Sequence, residues 1–167
     1  KRGASANAFT SFTKTAYLFS STTEVENNIK TLLDFVQDPY FSDQSVEKEK
    51  GIIAQEIQMY DDQPDWRSFF GTLKSMYHHH PVQTDIAGTV ASIQDITKED
   101  LYTCYQTFYH PANMDISVAG NFDPDQMMDL IRSNQQAKTF SPLEKIERSF
   151  PDEPETVATP KEVIEMP

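Results

Sequence analysis

Little in this chain favours disulfides, phosphate loops or membrane insertion. A single cysteine, Cys104, among 167 residues rules out an internal disulfide. Its neighbours Leu101, Tyr105 and Phe108 predict a buried core thiol rather than a reactive one. Five glycines are scattered without a glycine-rich phosphate loop, and no GxSxG or CxxC motif occurs. No run approaches the roughly 18 apolar residues that a bilayer-spanning helix needs, and the first residues hold no apolar signal region. Basic residues are also few: 14 against 26 acidic ones give a net charge of −12, which repels phosphate backbones and anionic lipids. Neither nucleic acid nor a membrane is expected as a partner, and a cytoplasmic, reducing location is compatible with this composition. The 38% apolar content suffices for one domain with a real core.

The pattern along the chain predicts an α+β fold. Small, aromatic and β-branched residues in SANAFT and TAYLFS, separated by Thr13 and Lys14, predict two adjacent strands forming a hairpin. Val25, Ile29, Leu32, Leu33 and Val36 then follow helical spacing up to Asp38-Pro39. A second helix covers VEKEKGIIAQEIQMY, and Pro64 opens a third, whose stripe of Trp66, Phe69, Phe70, Leu73, Met76 and Tyr77 reads as core packing. Thr97 and Asp100 resemble a capping box for a helix that His110-Pro111 ends. Residues 114–119 read as a strand, and Asp123-Pro124 begins a last helix with Met127, Met128 and Ile131 inward. Beyond Phe140, half of the ten prolines mix with acidic residues, predicting a linker or extended tail over 141–167.

The second helix holds the best functional clue. At about 100° per residue, Val46, Ile52, Ile53, Ile57, Met59 and Tyr60 define one arc, and Glu49 and Glu56 project from its middle. Their spacing is close to two turns, with about 20° of drift, so both can serve one site. A carboxylate facing an interior needs a metal, a cation or good donors. A structural ion pair or partial exposure is the alternative to a metal or catalytic site. His78, His79 and His80 do not add to it, because adjacent histidines at a helix end point about 100° apart. They read as a polar helix terminus meeting the negative end of the dipole.

GASANAFTSFTKTAYLF, a helix, VEKEKGIIAQEI, HP, FYHPANM and a segment ending in AGNFDP follow one another in an order that resembles the N-terminal catalytic domain of the pitrilysin/insulysin family. These are the inverted-motif zinc peptidases that include the processing peptidases, and the likeness is strongest to those of low-GC Gram-positive bacteria. It runs from about Gly3 to Gln135. The resemblance implies a mostly antiparallel sheet with helices packed on one face, incomplete at its N-terminus. Residues 1–140 would form a partial peptidase domain lacking its first strands and motif helix.

The resemblance further implies that Glu56 is the distant zinc ligand and Glu49 a supporting carboxylate that orients a ligand histidine. Asn7, Ala8, Phe9 and Thr10 match the edge strand on which a peptide substrate lies as an added strand. Phe9 walls a side-chain pocket there or packs in the core. The implied activity is hydrolysis of peptides or small unfolded proteins by zinc-activated water. No HxxEH occurs in these 167 residues, and the family places that motif upstream of the segment where this chain begins. Zinc is therefore expected in the complete protein, with no tight binding and no cleavage by this stretch alone. A second family domain or a homologous subunit would close the chamber. The alternative is a noncatalytic peptide-binding or scaffold subunit of the same family.

Overall fold

A computed structural model describes residues 3–165. It is α+β, with one two-stranded antiparallel sheet and six α-helices among the described residues. The chain divides into two compact units, residues 1–40 with 102–146, and residues 41–101 with 147–167.

In the first unit, β1 (Ser5–Thr10) and β2 (Thr15–Ser20) pair in register from Ser5 opposite Ser20 to Thr10 opposite Thr15. The four-residue connection closes through Ser11 N–H donating to the Lys14 carbonyl at 2.8 Å. Alternation puts Ala6, Ala8, Tyr17 and Phe19 on one face and Asn7, Phe9, Ala16 and Leu18 on the other. Phe19 belongs to the covered face, against a core of Ile29, Leu33 and Met127. Those core residues come from α1 (Val25–Gln37) and α6 (Pro124–Gln136). Helix α6 starts as predicted, with the Asp123 carboxylate accepting from the N–H groups of Asp125 and Gln126 and Pro124 in its first turn. Helix α1 ends at Asp38, just before Pro39.

The second unit is built on α2 (Asp43–Asp61), α3 (Pro64–Met76) and the short α4 (Val90–Gln94). Reciprocal bonds between Ser42 and Ser45 start α2, and the same device between Thr89 and Ser92 starts α4. Buried Val46 and Ile57 of α2, Phe70 of α3 and Ile93 of α4 mark its interior. Helix α5 (Lys98–Phe108) begins at the predicted box, where the Asp100 carboxylate accepts from Thr97 N–H at 2.8 Å and Asp100 N–H donates to Thr97 Oγ1 at 3.2 Å.

Several expectations are corrected. Residues 114–119 form no strand, because no neighbour supplies a ladder to them among the described residues; Met114 has extended dihedrals, and Ile116 is 50% exposed. Cys104 is exposed rather than buried, since α5 turns Leu101, Tyr102 and Tyr105 inward and leaves Cys104 and Phe108 on its open side. Phe69, Met76 and Met128 likewise lie outside, while Trp66, Leu73 and Leu130 take the covered positions. Periodicity identifies which residues share a helix face. It does not say how much of that face a neighbour covers.

Candidate functional site

Helix α2 carries both glutamates, and its apolar arc is covered over only part of its width. Val46, Lys50, Ile53, Ile57 and Tyr60 are buried or half-buried. Glu49, Ile52, Glu56 and Met59 form the adjoining stripe at steps of three and four, and all four are exposed, Ile52 at 48% and Met59 at 53%. The expectation of inward carboxylates is thus corrected. They sit within the apolar arc as its spacing predicts, yet on the half that no described residue covers.

The two carboxylates differ in their surroundings. Glu49 has no hydrogen-bond or ion-pair partner among the described residues. Glu56 Oε1 accepts a hydrogen bond from Tyr60 Oη at 2.7 Å, one turn further along the helix. That carboxylate holds the Tyr60 phenol above its ordinary pKa, chiefly through the hydrogen bond and then through slight burial. The Tyr60 ring stacks on Trp66 of α3, with centroids 4.3 Å apart and planes 11° from parallel. Trp66 Nε1 donates to Asp85 Oδ2 at 2.7 Å. Among the described residues no three His, Cys, Asp or Glu side chains form a group that could hold a metal. Glu56 can occupy one position of a coordination sphere, and any such centre must draw its other ligands from elsewhere.

Asn7, Ala8, Phe9 and Thr10 lie on β1, in the other unit. Every residue of that strand is exposed. Its one partner among the described residues is β2, so the opposite edge of β1 keeps its N–H and C=O groups unpaired in any ladder. Phe9 is 50% exposed, with the Lys14 ammonium 6.0 Å from its ring centre, so no core among the described residues takes it up.

The three histidines have a role that their spacing did not reveal. The backbone N–H groups of His78 and His79 donate to the Glu153 carboxylate at 2.8 and 2.7 Å, and that of His80 donates to the same oxygen as His79. Burial raises the pKa of Glu153, but the three backbone donors and the nearby His79 outweigh it and hold the group below its ordinary value. His78 Nε2 also lies 3.1 Å from the Thr156 carbonyl. Further on, Thr159 N–H donates to the Ser75 carbonyl at 2.9 Å, and Ser75 Oγ donates to Glu162 at 2.8 Å. No signal in the sequence links an acidic residue of a proline-rich stretch to a turn more than 70 residues earlier.

The fold and these exposed groups do not name a function by themselves, and comparison with known proteins gives the family. The family model described as "Insulinase (Peptidase family M16)" matches residues 1–90, and that described as "Peptidase M16 inactive domain" matches residues 95–167. The chain belongs to peptidase family M16. It is 57% identical over 166 residues to the uncharacterized zinc protease YmfH of Bacillus subtilis, covering 99% of this chain and 39% of that protein. A second B. subtilis protein, named "Probable inactive metalloprotease YmfF", is 30% identical over 155 residues, 89% of this chain and 35% of its own length. Among solved structures, an M16-like peptidase from Alicyclobacillus acidocaldarius superposes with a TM-score of 0.89 at 53% identity, over 95% of this chain and 37% of that one. A protease from Helicobacter pylori shares the fold, with a TM-score of 0.74 at 22% identity over 91% of this chain and 37% of its own. The chain therefore spans about two fifths of the length of these relatives. No helix among the described residues is long and apolar enough to cross a membrane.

Proposed function

We propose that this chain is part of a larger zinc-dependent endopeptidase and contributes one metal ligand, Glu56, together with a substrate-binding edge, residues 7–10. The observation that carries the reading is the open stripe of α2, where Glu49 and Glu56 stand two turns apart and alternate with exposed Ile52 and Met59. Apolar side chains beside two carboxylates that have no ion pair among the described residues suit a face that a cation-bearing neighbour covers. Zinc accepts a glutamate oxygen at about 2.0–2.2 Å, and Glu56 keeps Oε2 without a hydrogen bond among the described residues. Glu49 would orient a ligand imidazole through its free ring nitrogen. When bound, zinc would activate water for attack on a peptide carbonyl.

The chemistry needs groups this sequence does not contain. HxxEH is absent from its 167 residues, and with it two histidine ligands and a general base. Residues 1–140 are the peptidase-domain part in this reading, and 141–167 is the segment that leads toward a second family domain enclosing the substrate. A peptide would bind by adding a strand to β1, drawing affinity from backbone hydrogen bonds and little from its sequence. The setting is proposed to be cytoplasmic.

A noncatalytic role is the second reading. It is favoured by the description of the family model over residues 95–167 and by the name of the YmfF relative. Titration of the purified chain with zinc, alongside an assay with a quenched fluorescent peptide, tests the first reading. Weak zinc binding and no cleavage are expected. Tight stoichiometric zinc, or cleavage that Glu56→Gln abolishes, would contradict the division of the site between this chain and the rest of a larger protein.

A further inference from the structure

We propose that Tyr60 is the positioning residue of the Glu56 carboxylate, with Trp66 and Asp85 as its anchor; this rests on Glu56 being a zinc ligand. An exposed glutamate ordinarily samples many rotamers, and a ligand that must first be ordered binds its metal more weakly. Here the phenol holds Glu56 Oε1 at 2.7 Å, within the range of a charge-assisted O–H···O bond. The donor is itself held. The Tyr60 ring lies flat on Trp66 at 4.3 Å, and Trp66 packs against buried Phe70 with centroids 4.9 Å apart. The indole N–H is fixed by Asp85 Oδ2 at 2.7 Å, and the other oxygen of Asp85 accepts from Ala87 N–H at 2.9 Å.

The chain of contacts therefore runs from a backbone turn, through a carboxylate and two stacked rings, to one oxygen of Glu56. All of its members belong to one compact unit. Tying Oε1 leaves Oε2 as the oxygen that Glu56 would present to a metal. If Tyr60 served packing alone, its ring would matter and its hydroxyl would not. The ring is half-buried on Trp66, so Tyr60→Phe keeps the stack and removes only the donor.

The test uses the full-length protein, comparing Tyr60→Phe and Glu56→Gln with the parent. Zinc affinity is read by competition with a chromophoric chelator, ligand geometry by the visible spectrum of the cobalt(II)-substituted form, and folding by melting of the metal-free protein. Tyr60→Phe is expected to weaken zinc binding about tenfold or more and to shift the cobalt bands, with metal-free melting unchanged. Unchanged zinc affinity and cobalt spectrum in Tyr60→Phe, with zinc lost in Glu56→Gln, would overturn the role of Tyr60 alone. Wild-type zinc affinity in Glu56→Gln would remove the Glu56 reading and this inference with it. A lower metal-free melting temperature in Tyr60→Phe without a change in zinc affinity would mark the hydroxyl as structural and likewise overturn it.

Discussion

Asp34 joins two helices of the first unit from an exposed position. Its Oδ1 accepts from Lys138 at 2.7 Å and from the Asn134 amide at 3.2 Å, and these two donors hold its carboxyl below the ordinary range. A depressed carboxyl stabilises the folded state at pH values above its unfolded pKa, and the contribution is lost as the pH falls through the folded one. Asp34→Asn should lower the urea midpoint at neutral pH by less than about 1 kcal/mol in stability, as exposed pairs do. The gap from the parent should close in acid. A gap that persists below pH 3 would assign the effect to packing. Single residues also show where sequence reading stops. The spacing of Glu49 and Glu56 placed them correctly on one stripe, yet their exposure depends on what lies opposite α2, which no local pattern encodes. Cys104 failed for the same reason, because Leu101 and Tyr105 beside it do face inward.

The helix boundaries were largely legible because their punctuation is local. Asp38-Pro39 ends α1, Pro64 opens α3, and Asp123-Pro124 opens α6, each by a steric or capping rule acting within one turn. The hairpin was legible from its two short β-prone runs. The strand expected over 114–119 was not realised, since alternation sets a strand's faces while a partner's hydrogen bonds make it a strand. The proline-rich segment was read as a linker, and its contacts with α3 and the histidine turn were invisible because they join residues far apart in sequence. Glu153 is its firmest attachment. Glu153→Gln keeps the shape but weakens three charge-assisted bonds, so hydrogen exchange at the amides of His78, His79 and His80 should accelerate severalfold at neutral pH. Because the folded carboxyl is depressed, acidification through its folded pKa should lower the protection factors of the same amides in the parent, exchange being taken relative to the intrinsic rate at each pH. Unchanged exchange in the variant would show that other contacts hold the segment.

For the molecule as a whole, the family was recognisable from the order of several weak motifs, and its fold and membership hold. A net charge of −12 opposes binding to nucleic acid and anionic membranes. One unit presents a carboxylate stripe on α2, and the other presents a strand edge on β1. The central claim is that Glu56 ligates zinc while Glu49 supports the site from one step away. The most direct measurement is the zinc content of the full-length protein, by elemental analysis after exhaustive dialysis, for the parent, Glu56→Gln and Glu49→Gln. Near-stoichiometric zinc is predicted in the parent and in Glu49→Gln, with zinc largely lost in Glu56→Gln. Equal zinc in all three, or none in the parent, would contradict the account.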